Sequence, residues 1–171
     1  MSFTTSPISR LPRLSGNDMK VTIIAVASRA RGWAGEAEVD FCTRLRPFAD
    51  LTVVLVKPED EVVGIEVAKQ REGERILTKI PDGSLVVACD RVGKMLDSVQ
   101  LAQKIRVWRD ASEHVCILIG GSHGFSADVL AHTKLSVSFG AITLPHELFR
   151  IVFLEQLYRG FMILAGKKYH K

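Results

Sequence analysis

Three short segments carry residue types suited to holding a nucleotide-like ligand: Cys89-Asp90, then Gly120-Gly121-Ser122-His123-Gly124, then Phe139 through Leu144. Each ends an apolar run of the kind that forms a buried strand. In open parallel sheets, ligands gather beyond the carboxyl ends of the strands. Glycines at 120, 121 and 124 permit positive φ and let a ligand approach main chain closely. No Lys-Ser or Lys-Thr follows them, so this is not a Walker loop, and the spacing is not G-x-G-x-x-G. By itself the glycine segment serves equally well as a plain turn. Cys42, Cys89 and Cys116 lack metal-ligand spacing, and three cysteines cannot form a closed disulfide set. Cys89 and Cys116 sit inside apolar runs and are expected as small, reduced core residues, which suits a cytoplasmic setting. His114, His123 and His132 show no metal grouping, so no metal is expected.

The elements that must position these segments alternate in hydrophobic period. Val21–Ala27, Leu51–Val56, Leu85–Cys89, Val115–Ile119 and Leu135–Phe139 read as strands. Helix-period stretches lie between them: Gly35–Leu45 stopped by Pro47, Val62–Ile80 ending at Pro81-Asp82-Gly83, and Ser98–Asp110 with Ser98 as its cap. A short helix capped by Ser126 runs to Leu130, and a long one runs from about His146 to Ala165, stopped by Gly166. Strands separated by helices predict a single α/β domain with a mainly parallel sheet covered on both faces. The last helix is apolar almost all round. It must be buried on several sides, either at a subunit interface or as the central core helix of a monomer.

At 171 residues, with 47% hydrophobic and 25% charged side chains, the chain suits one compact domain and excludes a disordered or fibrous protein. No stretch approaches the roughly 18 uninterrupted apolar residues of a membrane helix. Residues 1–18 are rich in Ser and Thr, with Pro7 and Pro12, and read as a flexible extension outside a folded part beginning at Met19. The formal charge of +4 is unevenly placed: residues 19–145 are balanced, while residues 146–171 carry a net +3. An excess of this size permits an RNA partner without requiring one.

LIGGSHG, SFGAITLPHELFR, EQLYRGFMI and the closing GKKYHK, with the opening MKVTIIAVA and the central QREGERIL and GKMLDS, together resemble the ribosomal RNA large subunit methyltransferase H family. The resemblance covers Met19 to Lys171. That family belongs to the SPOUT class of S-adenosylmethionine-dependent enzymes. The resemblance implies a C-terminal trefoil knot, which simple topology rules disfavour. It implies a homodimer that methylates N3 of a pseudouridine in a stem-loop of large-subunit rRNA, on assembled ribosomes, without a separate RNA-binding domain. It further implies that the methyl donor is held, largely by main chain, at Cys89, Gly120, Phe139, Gly140, Ala141, Ile142, Thr143 and Leu144. These are the strand ends singled out above. An apolar slot with backbone donors and acceptors suits adenine.

Methyl transfer from a sulfonium is an in-line displacement, so much of the catalysis is positioning. Attack by a uridine-like N3 also requires loss of the imide proton, to an acceptor or under nearby positive charge. Candidates are His146, Arg150, Glu155, Tyr158, Arg159, Tyr169 and His170. Arg150, one helical turn from His146, is expected at the cofactor cleft as electrostatic stabiliser or phosphate anchor. Tyr169 and His170 on a flexible tail are expected to close over the target base. Arg150, Arg159, Lys167, Lys168 and His170 are the expected RNA contacts. Lys168 stands where many members of the family have proline, which frees φ and adds a donor. A different class of function, a non-catalytic ribosome-associated module with a vestigial pocket, would show decay of the cofactor stretch or tail, and neither is evident.

Overall fold

The computed structural model describes residues 19–169; the expected N-terminal extension, His170 and Lys171 lie outside the described residues. Five strands alternate with helices: β1 (Met19–Val26), α1 (Gly32–Leu45), β2 (Ala49–Val56), α2 (Ile65–Leu77), β3 (Leu85–Met95), α3 (Ser98–Asp110), β4 (Val115–Ile119), α4 (Ala127–His132), β5 (Leu135–Ser138) and α5 (His146–Leu164). The strands form one sheet in the order β2-β1-β4-β3-β5. All four pairings are parallel, as expected when each strand is followed by a helical crossover.

The sheet is covered on both faces. Val21, Ile23 and Ala25 of β1 face one way with Val115, Ile117 and Ile119 of β4, packing against Leu101, Ile105, Leu154, Leu157 and Phe161. Ile24 and Val26, with Cys116 and Leu118, face the other way toward Ile76 and Val129. Period-2 alternation thus sends alternate residues of the same strands into two cores, which is why these strands read as unbroken apolar runs.

Several boundaries differ from the sequence reading, each for a local reason. The helix expected over Val62–Ile80 is shorter, because Gly64 has φ +90° and separates a 3-10 turn (Glu61–Val63) from α2. Asp97, not Ser98, caps α3. Its carboxylate accepts from the Gln100 amide at 2.7 Å, and Gln100 Oε1 accepts from the Asp97 amide at 3.0 Å, completing a capping box. Ser98 instead donates to Gln156 Oε1 of α5 at 2.6 Å. β3 continues to Met95 rather than stopping at Cys89, and β5 stops at Ser138.

α5 lies between α1 and α3 on one face of the sheet, with Ile151, Phe153, Leu154, Leu157, Phe161 and Met162 buried within the single chain. Gly160 lies against α3, where an added Cβ would meet the end of the Ile105 side chain and stand 3.6 Å from Ala102 Cα. The central-core reading therefore accounts for much of this helix, while Leu148, Phe149, Val152, Ile163 and Leu164 remain partly open. Among the described residues no helix is long and apolar enough to cross a membrane.

Candidate functional site

Strand register brings the three segments side by side. Cys89 of β3 is level with Ile119 of β4 and with Val137 of β5. Gly120 and the Ser138-Phe139 step therefore leave the sheet on either side of Cys89, at the lateral spacing of neighbouring strands, about 4.8 Å. Burial, with a smaller contribution from the Asp90 carboxylate, raises the Cys89 thiol well above its ordinary range. It stays protonated and offers a neutral, soft surface rather than a nucleophile. Burial likewise pushes Cys116 up to about 12.

The glycine segment is a tight turn. The Gly124 amide donates to the Gly121 carbonyl at 3.1 Å, and Gly124 has φ +78°. The turn is supported from below by α2, which the sequence reading did not anticipate. Glu72 is buried, accepts from the Glu59 amide at 2.9 Å, and lies so close to Gly121 that a Cβ there would stand 2.5 Å from its Oε2. One residue on, a Cβ at Gly73 would run into Ser126 Oγ. The EG pair inside QREGERIL thus carries both ends of the loop. Its sequence signal was only a glycine inside an amphipathic helix.

Beyond β5 the chain crosses the strand ends as a strap. The Phe139 ring makes edge contacts with Phe149 and Phe153, each at 5.9 Å between centroids, so its side chain anchors the strap in the core. Gly140 has φ +131° and open space where a Cβ would be. Ser138 Oγ bonds both to the Gly140 carbonyl, at 3.1 Å, and to its amide, at 3.3 Å. Ala141, Ile142 and Thr143 are exposed, and Leu144 is half-buried. At the far end of the strap, His146 Nε2 meets Ser122 Oγ at 3.3 Å, tying α5 to the glycine turn.

A second unanticipated feature borders Cys89. Both Cys89 and Lys94 pair with Val137, so Asp90–Gly93 form an excursion from the ladder. The Asp90 carboxylate accepts from the Val92 amide at 3.1 Å. Gly93 returns the chain against β5, and a Cβ there would fall 2.7 Å from the Ser136 carbonyl carbon and the Val137 nitrogen. Backbone cannot rotate away as a side chain can. Gly93→Ala is therefore expected to cost about 1–3 kcal/mol of stability, measurable as a lowered urea midpoint.

The expected place of Arg150 needs correction. Its guanidinium is fully buried, and its Nε and Nη2 both donate to Glu38 Oε2 of α1, at 3.1 and 2.7 Å. Nη1 is the buried side-chain nitrogen or oxygen left without a partner among the described residues. α5 descends from the strand-end rim into the core, so one turn past His146 the side chain already lies between helices. There it presents no surface to an RNA phosphate.

The tail also sits differently from expectation. Tyr169 packs on α5, 5.1 Å from the Tyr158 ring and under the Arg159 guanidinium at 4.9 Å, and its hydroxyl donates to Glu155 Oε1 at 3.2 Å. Arg159 donates to the same oxygen at 3.0 and 2.6 Å. Burial and the Glu155 carboxylate raise the Tyr169 phenol, keeping it protonated. Lys167 and Lys168 are exposed. Arg159 is 13 positions beyond His146 on α5, about 20 Å along the axis. Within one chain, the tail cluster lies along Glu155, Tyr158 and Arg159 in the C-terminal half of α5, while the strap joins α5 at its N-terminus. Among the described residues no group of three His, Cys, Asp or Glu side chains could hold a metal ion.

Residues 19–170 match the family described as "Predicted SPOUT methyltransferase". A protein of Xanthomonas oryzae named ribosomal RNA large subunit methyltransferase H is 38% identical over 155 residues, covering 90% of this chain and 99% of its own length. The protein of that name from Neisseria gonorrhoeae is 34% identical with the same coverage. The crystal structure of the SpoU methyltransferase AviRb from Streptomyces viridochromogenes with the cofactor AdoMet aligns at a TM-score of 0.44 and 14% identity. That alignment covers 91% of this chain and 63% of AviRb, a likeness too loose to transfer any residue's role. With the parallel sheet, the glycine turn and the strap in place, the full-length match to these relatives decides the assignment: the chain belongs to the ribosomal RNA large subunit methyltransferase H family of SPOUT methyltransferases.

Proposed function

We propose that this protein is an S-adenosylmethionine-dependent ribosomal RNA methyltransferase, acting on N3 of a pseudouridine in a large-subunit stem-loop on the assembled ribosome. We further propose that it works in the cytoplasm as a homodimer whose C-terminal part is threaded as a trefoil knot. The observation that carries the reading is the convergence of Cys89, Gly120 and the strap at three adjacent strand ends, in a chain of this family. The donor set fits the cofactor. Gly140 leaves open space where a side chain would stand, the neighbouring thiol is neutral, and Ala141–Thr143 lie exposed. Cys89, Gly120 and Phe139 through Leu144 would hold it, with Phe139 acting through main chain because its ring is committed to the core. When bound, S-adenosylmethionine supplies a methyl group on a sulfonium, open to in-line attack.

The protein's own part is placement and proton handling. The strap is held at one end by Ser138 and at the other by the Ser122–His146 contact, which limits where the cofactor and target meet. Tyr169 and Arg159 dock on the C-terminal half of α5, away from the end where the strap enters, and are assigned here to the site of a second copy. There Tyr169 would contact the target base, and Lys167, Lys168 and His170 would contact RNA. Arg159 would act mainly by holding Glu155 and Tyr169 in place. Glu155 and His170 are the proton acceptors that this end of the chain carries. The partly open apolar positions on α5 support the homodimer.

The test is transfer of labelled methyl to ribosomes whose stem-loop pseudouridines are formed but unmethylated, with mass mapping of the product nucleoside. Label on N3 of a large-subunit pseudouridine is expected. Label elsewhere, or none, would overturn the substrate assignment.

A further inference from the structure

We propose that the loop joining β1 to α1 is a nucleic-acid lip, in which Trp33 stacks on an unpaired base of the RNA substrate and Arg29 and Arg31 hold the flanking phosphates. This rests on the rRNA methyltransferase reading and adds a contact surface to it.

Trp33, in the first turn of α1, is 67% exposed while its neighbour Ala34 is buried. A tryptophan presenting this much ring to solvent is unusual in a folded domain, because its burial is so favourable. Arg29 and Arg31 are exposed on the same loop and form no ion pair among the described residues. No acidic residue occurs between Ala27 and Trp33. The nearest carboxylates along the chain are Glu36, one turn further on, and Glu38, which is turned inward to Arg150.

The lip borders the candidate cofactor site. β1 lies beside β4 with Ala25 level with Ile119, so the loops that follow them are neighbours on one rim. Val26 borders the glycine turn: a Cβ added to Gly121 would stand 3.2 Å from its Cγ1. A nucleotide bound across this loop would lie next to the strand ends where methyl transfer is proposed.

Charge complementarity selects RNA as the occupant. Arg150 and Arg159, two of the cations expected to meet phosphate, are committed to Glu38 and Glu155 within the chain. Arg29 and Arg31 supply positive charge at the rim without such partners. Guanidinium forks suit phosphate oxygens, and an indole face accepts any unpaired base in a stem-loop.

The test compares steady-state methyl transfer to large ribosomal subunits by the full-length wild type, Trp33→Ala, Trp33→Phe and the double variant Arg29→Ala/Arg31→Ala. Trp33→Ala should raise KM for the subunits about tenfold or more, with Trp33→Phe recovering most of the loss. The double variant should raise KM and flatten the slope of log(kcat/KM) against log salt by about 1.4–1.8, the share of two phosphates. Cofactor affinity by calorimetry and the melting temperature should stay at wild-type values in all three. Unchanged KM and salt slope alongside an active wild type would overturn the lip while leaving the enzyme reading intact. A wild type that transfers no methyl to RNA would overturn that reading and the lip with it. A shift in the self-association constant without a change in KM would assign this face to a second copy and also overturn the lip.

Discussion

Glu38→Ala is expected to lower the unfolding free energy by about 3–5 kcal/mol, because it leaves the Arg150 charge buried without its carboxylate. Arg150 is fully buried and delivers two nitrogens to one oxygen of Glu38, whose side chain is 18% exposed. Nη1 already lacks a partner, and Glu38 is the one carboxylate paired with Arg150 among the described residues. For a domain of this size the loss corresponds to a drop in melting temperature of about 6–20 °C. The cost is one of unpaired charge rather than of lost volume. The double variant Glu38→Leu/Arg150→Met should therefore recover most of it, since well-packed apolar residues replace buried ion pairs at little cost. Urea unfolding of Glu38→Leu, Arg150→Met and their double variant gives the coupling directly. A loss below about 1 kcal/mol for Glu38→Ala would show that the pair is open to solvent.

Truncation after Gly166 should reduce methyl transfer at least about a hundredfold while leaving cofactor binding near its wild-type value, since electrostatic and positioning contacts of this kind each contribute on that order. The removed segment contains Lys167, Lys168, Tyr169 and His170. In one chain Tyr169 is docked on Glu155, Tyr158 and Arg159, in the C-terminal half of α5. If a second copy receives this segment, complementation follows. A heterodimer of a truncated chain and a full-length chain carrying Gly140→Val should regain activity in one of its two sites, whereas both parent homodimers stay inactive. Gly140→Val is apt because φ of +131° is forbidden to a β-branched residue. Activity that survives truncation would remove the tail from the mechanism. Heterodimers as inactive as both parents would confine each site to one chain.

The legibility of the chain divided along physical lines. Val115–Ile119 is readable to the residue, because a strand buried on both faces is an uninterrupted apolar run, here bounded by His114 and Gly120. β3 is legible only to Cys89, because its continuation through Gly93 and Lys94 depends on pairing with β5, about 45 positions later in the chain. Asp97 and Ser98 are both good caps, so local pattern does not choose between them. Only the approach of α5 turned the serine toward Gln156.

The candidate site divides in the same way. The composition of the glycine turn and the strap, the neutrality of the cysteines and the apolar character of α5 are properties of residue type and spacing, and the sequence alone determined them. The sequence also determined the family, through motifs whose order extends over the whole domain. Arg150 was different. Spacing placed it one turn from His146, but whether that turn faces the cleft or Glu38 depends on where α1 packs, and no local pattern encodes that. The same holds for Glu72 beneath Gly121, for Gly93 against β5, and for the tail lying on Tyr158. These contacts join residues roughly 10 to 110 positions apart. Their partners are chosen by the close packing of helices on a particular sheet order, a global property that only the folded chain possesses.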